Sequence, residues 1–238
     1  MLARMICLVI GYVCGLFQTS YIYGKKNGID IREHGSGNAG STNALRTLGK
    51  KAGALTLLGD CLKCVVAIFI AKLLFASHQG EDLLLLELYA GAGCILGHNF
   101  PFYLKFKGGK GIAASVGLLL AFDWRLFLIC AVLFFGAFFL THYVSLGSLL
   151  AYFGFVAALI IFGQMGTYDC TQPALYEMYG VAVALMLLAY WRHRQNIVRL
   201  IHGNENKIWG RKLGYGSGNS FGEKRTSGDS VVAQGRRG

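Results

Sequence analysis

Long apolar runs alternate with short polar segments along this chain, and the runs approach the length of bilayer-crossing helices. A spanning helix needs about 20 mostly apolar residues. Seven stretches come near that: 2–23, 52–76, 83–100, 111–122, 124–140, 143–165 and 173–191. The pattern predicts an all-α integral membrane protein with about seven transmembrane helices. These stretches use most of the chain, so residues 1–212 are expected to form one membrane domain. The 111–122 stretch has 12 residues and is short for a span. Arg4 before an apolar run also suits a signal peptide, but no small-x-small cleavage pattern precedes Gln18-Thr19-Ser20. A retained helix is expected there. From 213 to 238 the pattern stops. Seven glycines and four basic residues, with few apolar ones, predict a disordered tail that cannot offset the entropy of ordering.

Composition agrees. Of 238 residues 54% are hydrophobic and 15% charged, and the mean hydropathy is +0.47. A soluble domain carries roughly 25% charged residues, so the apolar excess must face lipid. The net charge of +11 is unevenly placed. Segments 25–51, 101–110 and 192–212 hold six, three and six Lys and Arg, whereas 77–82 and 163–172 hold none. Seven spans with the amino terminus outside place all three basic segments, and the carboxyl terminus, in the cytoplasm. That arrangement requires 111–122 to cross. The seven cysteines lie in or near apolar runs, and Cys61-x-x-Cys64 falls within a helix without a second ligand pair, so inert buried thiols are expected. No cluster has metal-ligand spacing, and neither metal, cofactor nor nucleic acid is expected.

In so apolar a chain the informative places are those that spend polar residues. Gly35-Ser36-Gly37-Asn38-Ala39-Gly40-Ser41-Thr42-Asn43 offers hydroxyls and turning backbone, with Ser41 or Asn43 as N-cap of a following helix. That is the chemistry of a phosphate cradle at a helix start, and equally of a flexible turn. Arg46 falls one helical turn after Thr42, with a planar fork suited to phosphate. In the second segment, 97–111, Lys105, Lys107 and Lys110 surround Gly108-Gly109 directly before an apolar helix. It is not a nucleotide P-loop, since Gly111 follows Lys110 where Ser or Thr belongs. In the third, His193, Asn196 and Arg199 are spaced three apart and can share a helix face, with Glu205 beyond. Asp60 and Lys63 form an i, i+3 pair inside a span, where unpaired charge is costly, and a helix-locking ion pair is expected. Ser145 follows the turn between the fifth and sixth spans. Glu87 has no evident partner.

Taken together, segments 36–46, 97–111 and 193–205 resemble, in order and spacing, the three signatures of the bacterial acyl-phosphate:glycerol-3-phosphate acyltransferases, the PlsY family. The first resembles SGNxGxTNxxR, the second GHxFPxxLxFKGGKG and the third HxxNxxRLxxGxE. The departures are Cys64 where a small residue is expected, His202 before Gly203, and the tail. The resemblance implies a multi-pass enzyme of the bacterial inner membrane with its site facing the cytoplasm. It implies two substrates, acyl phosphate and glycerol 3-phosphate, and the product lysophosphatidic acid. On this reading Ser36, Asn38, Thr42, Arg46, His193 and Asn196 are catalytic. Gly37, Gly40, Lys105, Lys107, Gly108, Gly109, Lys110 and Ser145 bind substrate phosphate, and Asp60, Lys63 and Glu205 are structural. The alternative is a transporter or channel for small phosphorylated metabolites. Against it, the polar motifs all fall on one side, and no pair of spans is interrupted symmetrically.

Overall fold

In a computed structural model, residues 1–77 and 82–208 are described; the tail expected from 213 onward lies outside them. The described residues are helical, with two 3₁₀ turns and no strand among them. In order they are α1 (Leu2–Gly15), α2 (Thr19–Lys26), α3 (Ser41–Leu48), α4 (Lys50–Phe75), α5 (Leu83–Asn99), α6 (Ile112–Phe122), α7 (Trp124–Thr141), α8 (Val144–Gln164), α9 (Gln172–Arg192) and α10 (Arg194–Ile201). Among the described residues six segments are long and apolar enough to cross a membrane: Leu2–Lys26, Lys50–Phe75, Leu83–Leu104, Trp124–Thr141, Val144–Gln164 and Gln172–Arg192.

The first predicted run is two helices, not one. The chain breaks between Gly15 and Thr19, and buried Gln18 turns its amide to the carbonyls of Gly15 and His98 at 3.2 and 3.1 Å. In lipid every freed backbone group needs such a partner. The break is thus tied to α5.

α5 is the central helix. Leu85, Leu86, Leu88, Cys94 and Ile95 are buried on its several faces, whereas α4 turns Leu58, Leu62, Val66, Phe69 and Leu73 outward to lipid. Glycines let α1 lie directly on α5. A Cβ at Gly11 or Gly15 would stand 2.0 or 2.2 Å from Ala90 O or Cys94 O. At Gly93 or Gly97 it would stand 2.1 or 2.2 Å from Leu8 O or Tyr12 O. Both helices therefore carry the small-x-x-x-small spacing that permits backbone contact in lipid. Gly93→Leu should push α1 away and lower the melting temperature in detergent, since overpacking costs at least about 1–3 kcal/mol.

The short stretch before Asp123 is α6, whose 11 residues reach about 16 Å, half the roughly 30 Å of hydrocarbon. Its end is not left bare. Lys72 Nζ donates to Ala121 O at 3.3 Å and pairs with buried Glu87 at 3.1 Å, which accounts for the carboxylate that had no evident partner. Cys61 and Cys64 are unpaired thiols at the α4–α6 contact, where Gly117 packs against Cys61 O and Cys64 Cβ.

Candidate active site

Four polar connections meet at one end of the bundle. The first, between α2 and α3, is tied to the second, between α5 and α6, by Arg32 Nη1 on Leu104 O at 3.1 Å. Arg32 also grips Asp30, with Nη2 to Oδ2 at 2.7 Å, and this hydrogen bond holds the Asp30 carboxyl down at a pKa of about 2. The second connection touches the α9–α10 junction through Arg192. Residues after α10 return to the α7–α8 turn, where Ile208 N donates to His142 O at 3.3 Å.

In the first loop the glycines serve the loop itself. Gly37 N donates to His34 O and Gly40 N to Asn38 O, both at 3.0 Å, so neither N–H is open to a ligand as the cradle reading supposed. Asn43 is not a cap. The N-cap of α3 is Gly40, without a side-chain cap bond. The Asn43 amide instead clasps the loop, with Oδ1 accepting from Ser36 N and Nδ2 donating to Ile31 O and His34 O. The open donors lie one step on. The first intrahelical bond runs from Ala44 N to Gly40 O, so the N–H groups of Ser41, Thr42 and Asn43 have no intrahelical acceptor. Beside them, Ser36 is exposed while Asn38 and Thr42 are half-buried.

In the second loop, too, the glycine donors are used. Gly108 N donates to Asn99 O at 3.2 Å and Gly109 N to His98 O at 3.1 Å. Arg192 holds their carbonyls from the other side, with Nη2 on Gly108 O at 3.0 Å and on Gly109 O at 2.6 Å. Gly108 and Gly109 therefore build the seat without lining it with free N–H groups. Lys105 and Lys107 are exposed, and Lys105 and Phe106 take left-handed backbone at φ 55° and 58°. Such conformations are strained in non-glycine residues.

Lys110 is the cation that is brought inward. Its Nζ donates to Asn196 Oδ1. Asn196 Nδ2 donates to Glu205 Oε1 at 2.8 Å, and Arg199 pairs with Glu205 Oε2 at 2.9 Å. Arg46 reaches the same segment after α10 through Asn206 O at 3.3 Å, and burial lowers its pKa. His193 is buried, with Nδ1 on Ala189 O at 2.8 Å. A carbonyl only accepts, so Nδ1 carries the proton and Nε2 the lone pair. Burial, then the charge of Lys110, pushes the His193 pKa down to about 4, and the ring is neutral at pH 7.

Arg46, Lys110, His193 and Asn196 are therefore gathered, and Glu205 serves as their brace. Lys105, Lys107 and Ser36 stand at the exposed rim. Ser145 is buried near the start of α8, and its Oγ has no hydrogen-bond partner. Asp60 and Lys63 form the expected buried pair at 2.9 Å. Sequence reasoning passed over His98, which lies inside the second motif, and Arg192, which stands directly before the third. Their signal was position: each stands where an apolar helix meets a glycine-rich or basic segment.

Comparison with known proteins gives the family. A family model described as glycerol-3-phosphate acyltransferase matches residues 5–203. A glycerol-3-phosphate acyltransferase of Clostridioides difficile (strain 630) is 43% identical over 212 residues, which is 87% of this chain and 97% of the relative. One from Halalkalibacterium halodurans is 41% identical over 207 residues, 86% of this chain and 95% of the relative. The crystal structure of PlsY (YgiH), an integral membrane glycerol 3-phosphate acyltransferase in its glycerol 3-phosphate form, superposes with a TM-score of 0.73 at 31% identity, covering 86% of this chain and 95% of that one. Its lysophosphatidic acid form gives 0.72 at 30% identity, covering 86% and 94%. Matched along nearly its whole described length by model, sequence and fold alike, the chain belongs to the glycerol-3-phosphate acyltransferase family.

Proposed function

We propose that this chain moves a fatty acyl group from acyl phosphate to the sn-1 hydroxyl of glycerol 3-phosphate. The products are lysophosphatidic acid and phosphate. One observation carries the reading: Arg46, Lys110, His193 and Asn196 converge from three distant segments at one end of an apolar bundle. Two phosphorylated reactants, one with a long acyl chain, need such a place. Family membership favours this over a transporter of phosphorylated metabolites. The same end carries the described residues of the three basic segments, 25–51, 101–110 and 192–208, which supports a cytoplasm-facing site in a bacterial inner membrane. Seven crossings follow if α6 traverses a thinned or protein-shielded layer, with the amino terminus outside. The described part of the expected 1–212 domain, up to Ile208, carries the proposed catalysis.

The donor phosphate is held by Ser36, Asn38, Thr42 and the first-turn N–H groups of α3, where a helix start favours anions. Ser145, with its free hydroxyl, adds to this seat. Arg46, Lys107 or Lys105, Lys110 and Asn196 hold the acceptor phosphate. The acceptor hydroxyl attacks the acyl carbonyl, the bond from carbon to the bridging oxygen breaks, and phosphate leaves. A departing phosphate oxygen is a far stronger base than an imidazole with a pKa of about 4. The hydroxyl proton therefore ends on phosphate, while His193 Nε2 orients the hydroxyl by accepting its hydrogen bond. No acyl-enzyme is needed, and among the described residues no base is hydrogen-bonded to Ser36 Oγ. Positioning then supplies much of the rate.

Purified protein in detergent should release phosphate from palmitoyl phosphate only when glycerol 3-phosphate is present. Ser36→Ala and Thr42→Ala should each lower kcat by about a hundredfold, as losing one donor to the developing charge does. No phosphate release by the unaltered protein would refute the activity, and a trapped acyl-Ser36 peptide would refute direct transfer.

A further inference from the structure

A charged cluster that the proposed reaction does not use lies directly beneath the second loop. Lys63 Nζ, besides pairing with Asp60, donates to Phe17 O at 2.7 Å and contacts His98 Nδ1 at 2.9 Å. Thr19 Oγ1 donates to Asp60 Oδ1 at 3.2 Å. Asp60, Lys63 and His98 are all buried. An ammonium has only donors, so His98 Nδ1 must accept and the ring proton must sit on Nε2.

His98 meets the loop with both ring and backbone. A Cβ at Gly109 would lie 2.1 Å from His98 Nε2, and one at Gly108 would lie 2.0 Å from His98 O. His98 O also takes the Gly109 N–H and the Gln18 amide. On the far side, Ala39 O of the first loop would stand 2.6 Å from the same Gly109 Cβ. The two loops therefore touch across Gly109, with His98 as the floor. An ion pair that only locked α4 against its neighbours would have no need of the third bond to His98.

We propose that Asp60, Lys63 and His98 form a positioning relay for the Gly108–Gly109 loop. The ion pair selects one tautomer of His98, and His98 sets the height of the loop and so the place of Lys110 against Asn196 and the first loop. His98 and Lys63 act through the loop and touch no substrate. The proposal rests on the reading of Lys110 as a phosphate ligand.

The test uses the full chain in detergent, with palmitoyl phosphate and glycerol 3-phosphate. His98→Leu and Lys63→Met should raise KM for glycerol 3-phosphate about tenfold to a hundredfold, with a smaller change in kcat, as a displaced binding group does. His98→Asn, whose Oδ1 can accept the hydrogen bond from Lys63 Nζ, should recover most of that loss. In ¹⁵N spectra of the unaltered protein, His98 should show an unprotonated Nδ1. Lys63→Met leaves Asp60 buried and unpaired; should it fail to fold, the neutral Asp60→Asn/Lys63→Met protein is judged by the same KM criterion. A folded His98→Leu protein with KM within about twofold of the original overturns the relay. So does a protonated Nδ1, or His98→Asn no better than His98→Leu. If the unaltered protein releases no phosphate, the assigned reaction fails instead, and the ¹⁵N spectrum alone decides the tautomer and with it the relay.

Discussion

Replacing Lys110 with alanine is expected to lower kcat/KM for glycerol 3-phosphate by about a hundredfold to a thousandfold, the range for one well-placed donor in a water-poor site. Lys110 stands just before the first turn of α6, where its ammonium and the positive end of the helix dipole act together. Burial pushes its pKa down to about 8; Glu205 opposes that, while Arg199, Arg192 and Arg46 add to it. The sign follows directly. Below about pH 8 the ammonium is charged and draws phosphate, and above it the charge is lost. Since kcat/KM reports the free enzyme, it should decline above that pH, approaching tenfold per unit. Lys110→Arg keeps its charge and should abolish this decline, whatever its absolute rate. His193 should add no limb near neutrality, because its pKa is about 4. Initial rates of phosphate release at low glycerol 3-phosphate, from about pH 6 to 9.5, check both statements. A wild-type profile that stays level through the upper half of this range would remove Lys110 from the site.

A single added methyl group is expected to do comparable damage at Gly109. In Gly109→Ala the new Cβ meets His98 Nε2 on one side and Ala39 O on the other. Ala39 O belongs to the backbone and cannot swing aside, so the two loops must part. A displacement of about 1 Å at reacting groups can cost a hundredfold in rate, and a loss of that order in kcat/KM is expected from a protein that still folds. Gly180→Ala is the control, because nothing lies within 4 Å of a Cβ there. It should keep full activity and melt no lower, since alanine favours a helix interior by up to about 1 kcal/mol. Assays beside melting curves in detergent separate the two. Full activity in Gly109→Ala would mean that the loops are not held at this spacing.

Much of this protein is legible in order along the chain. Apolar runs mark the helices because the bilayer demands a minimum apolar length, and clustered lysine and arginine mark one face because charge crosses membranes poorly. Segments 36–46, 97–111 and 193–205 stand out for the same reason: polar residues are rare enough here to be noticed.

What those residues do is another matter. Gly37, Gly40, Gly108 and Gly109 invited the reading of open backbone donors, yet their N–H groups are consumed within the loops or by the end of α5. Asn43, expected with Ser41 as alternative caps, is a clasp, and the cap position falls to Gly40. The partners of His98 and Arg192 lie 35 and 84 residues away, and no local pattern encodes such pairings.

The sequence by itself determined that this is a helical membrane protein with three polar, basic segments, because hydropathy and charge act residue by residue. Only the tertiary structure decided which lysine turns inward, which glycines are spacers and which buried charges lie against His98. Those outcomes depend on distances between helices, and such distances exist only after the chain has packed.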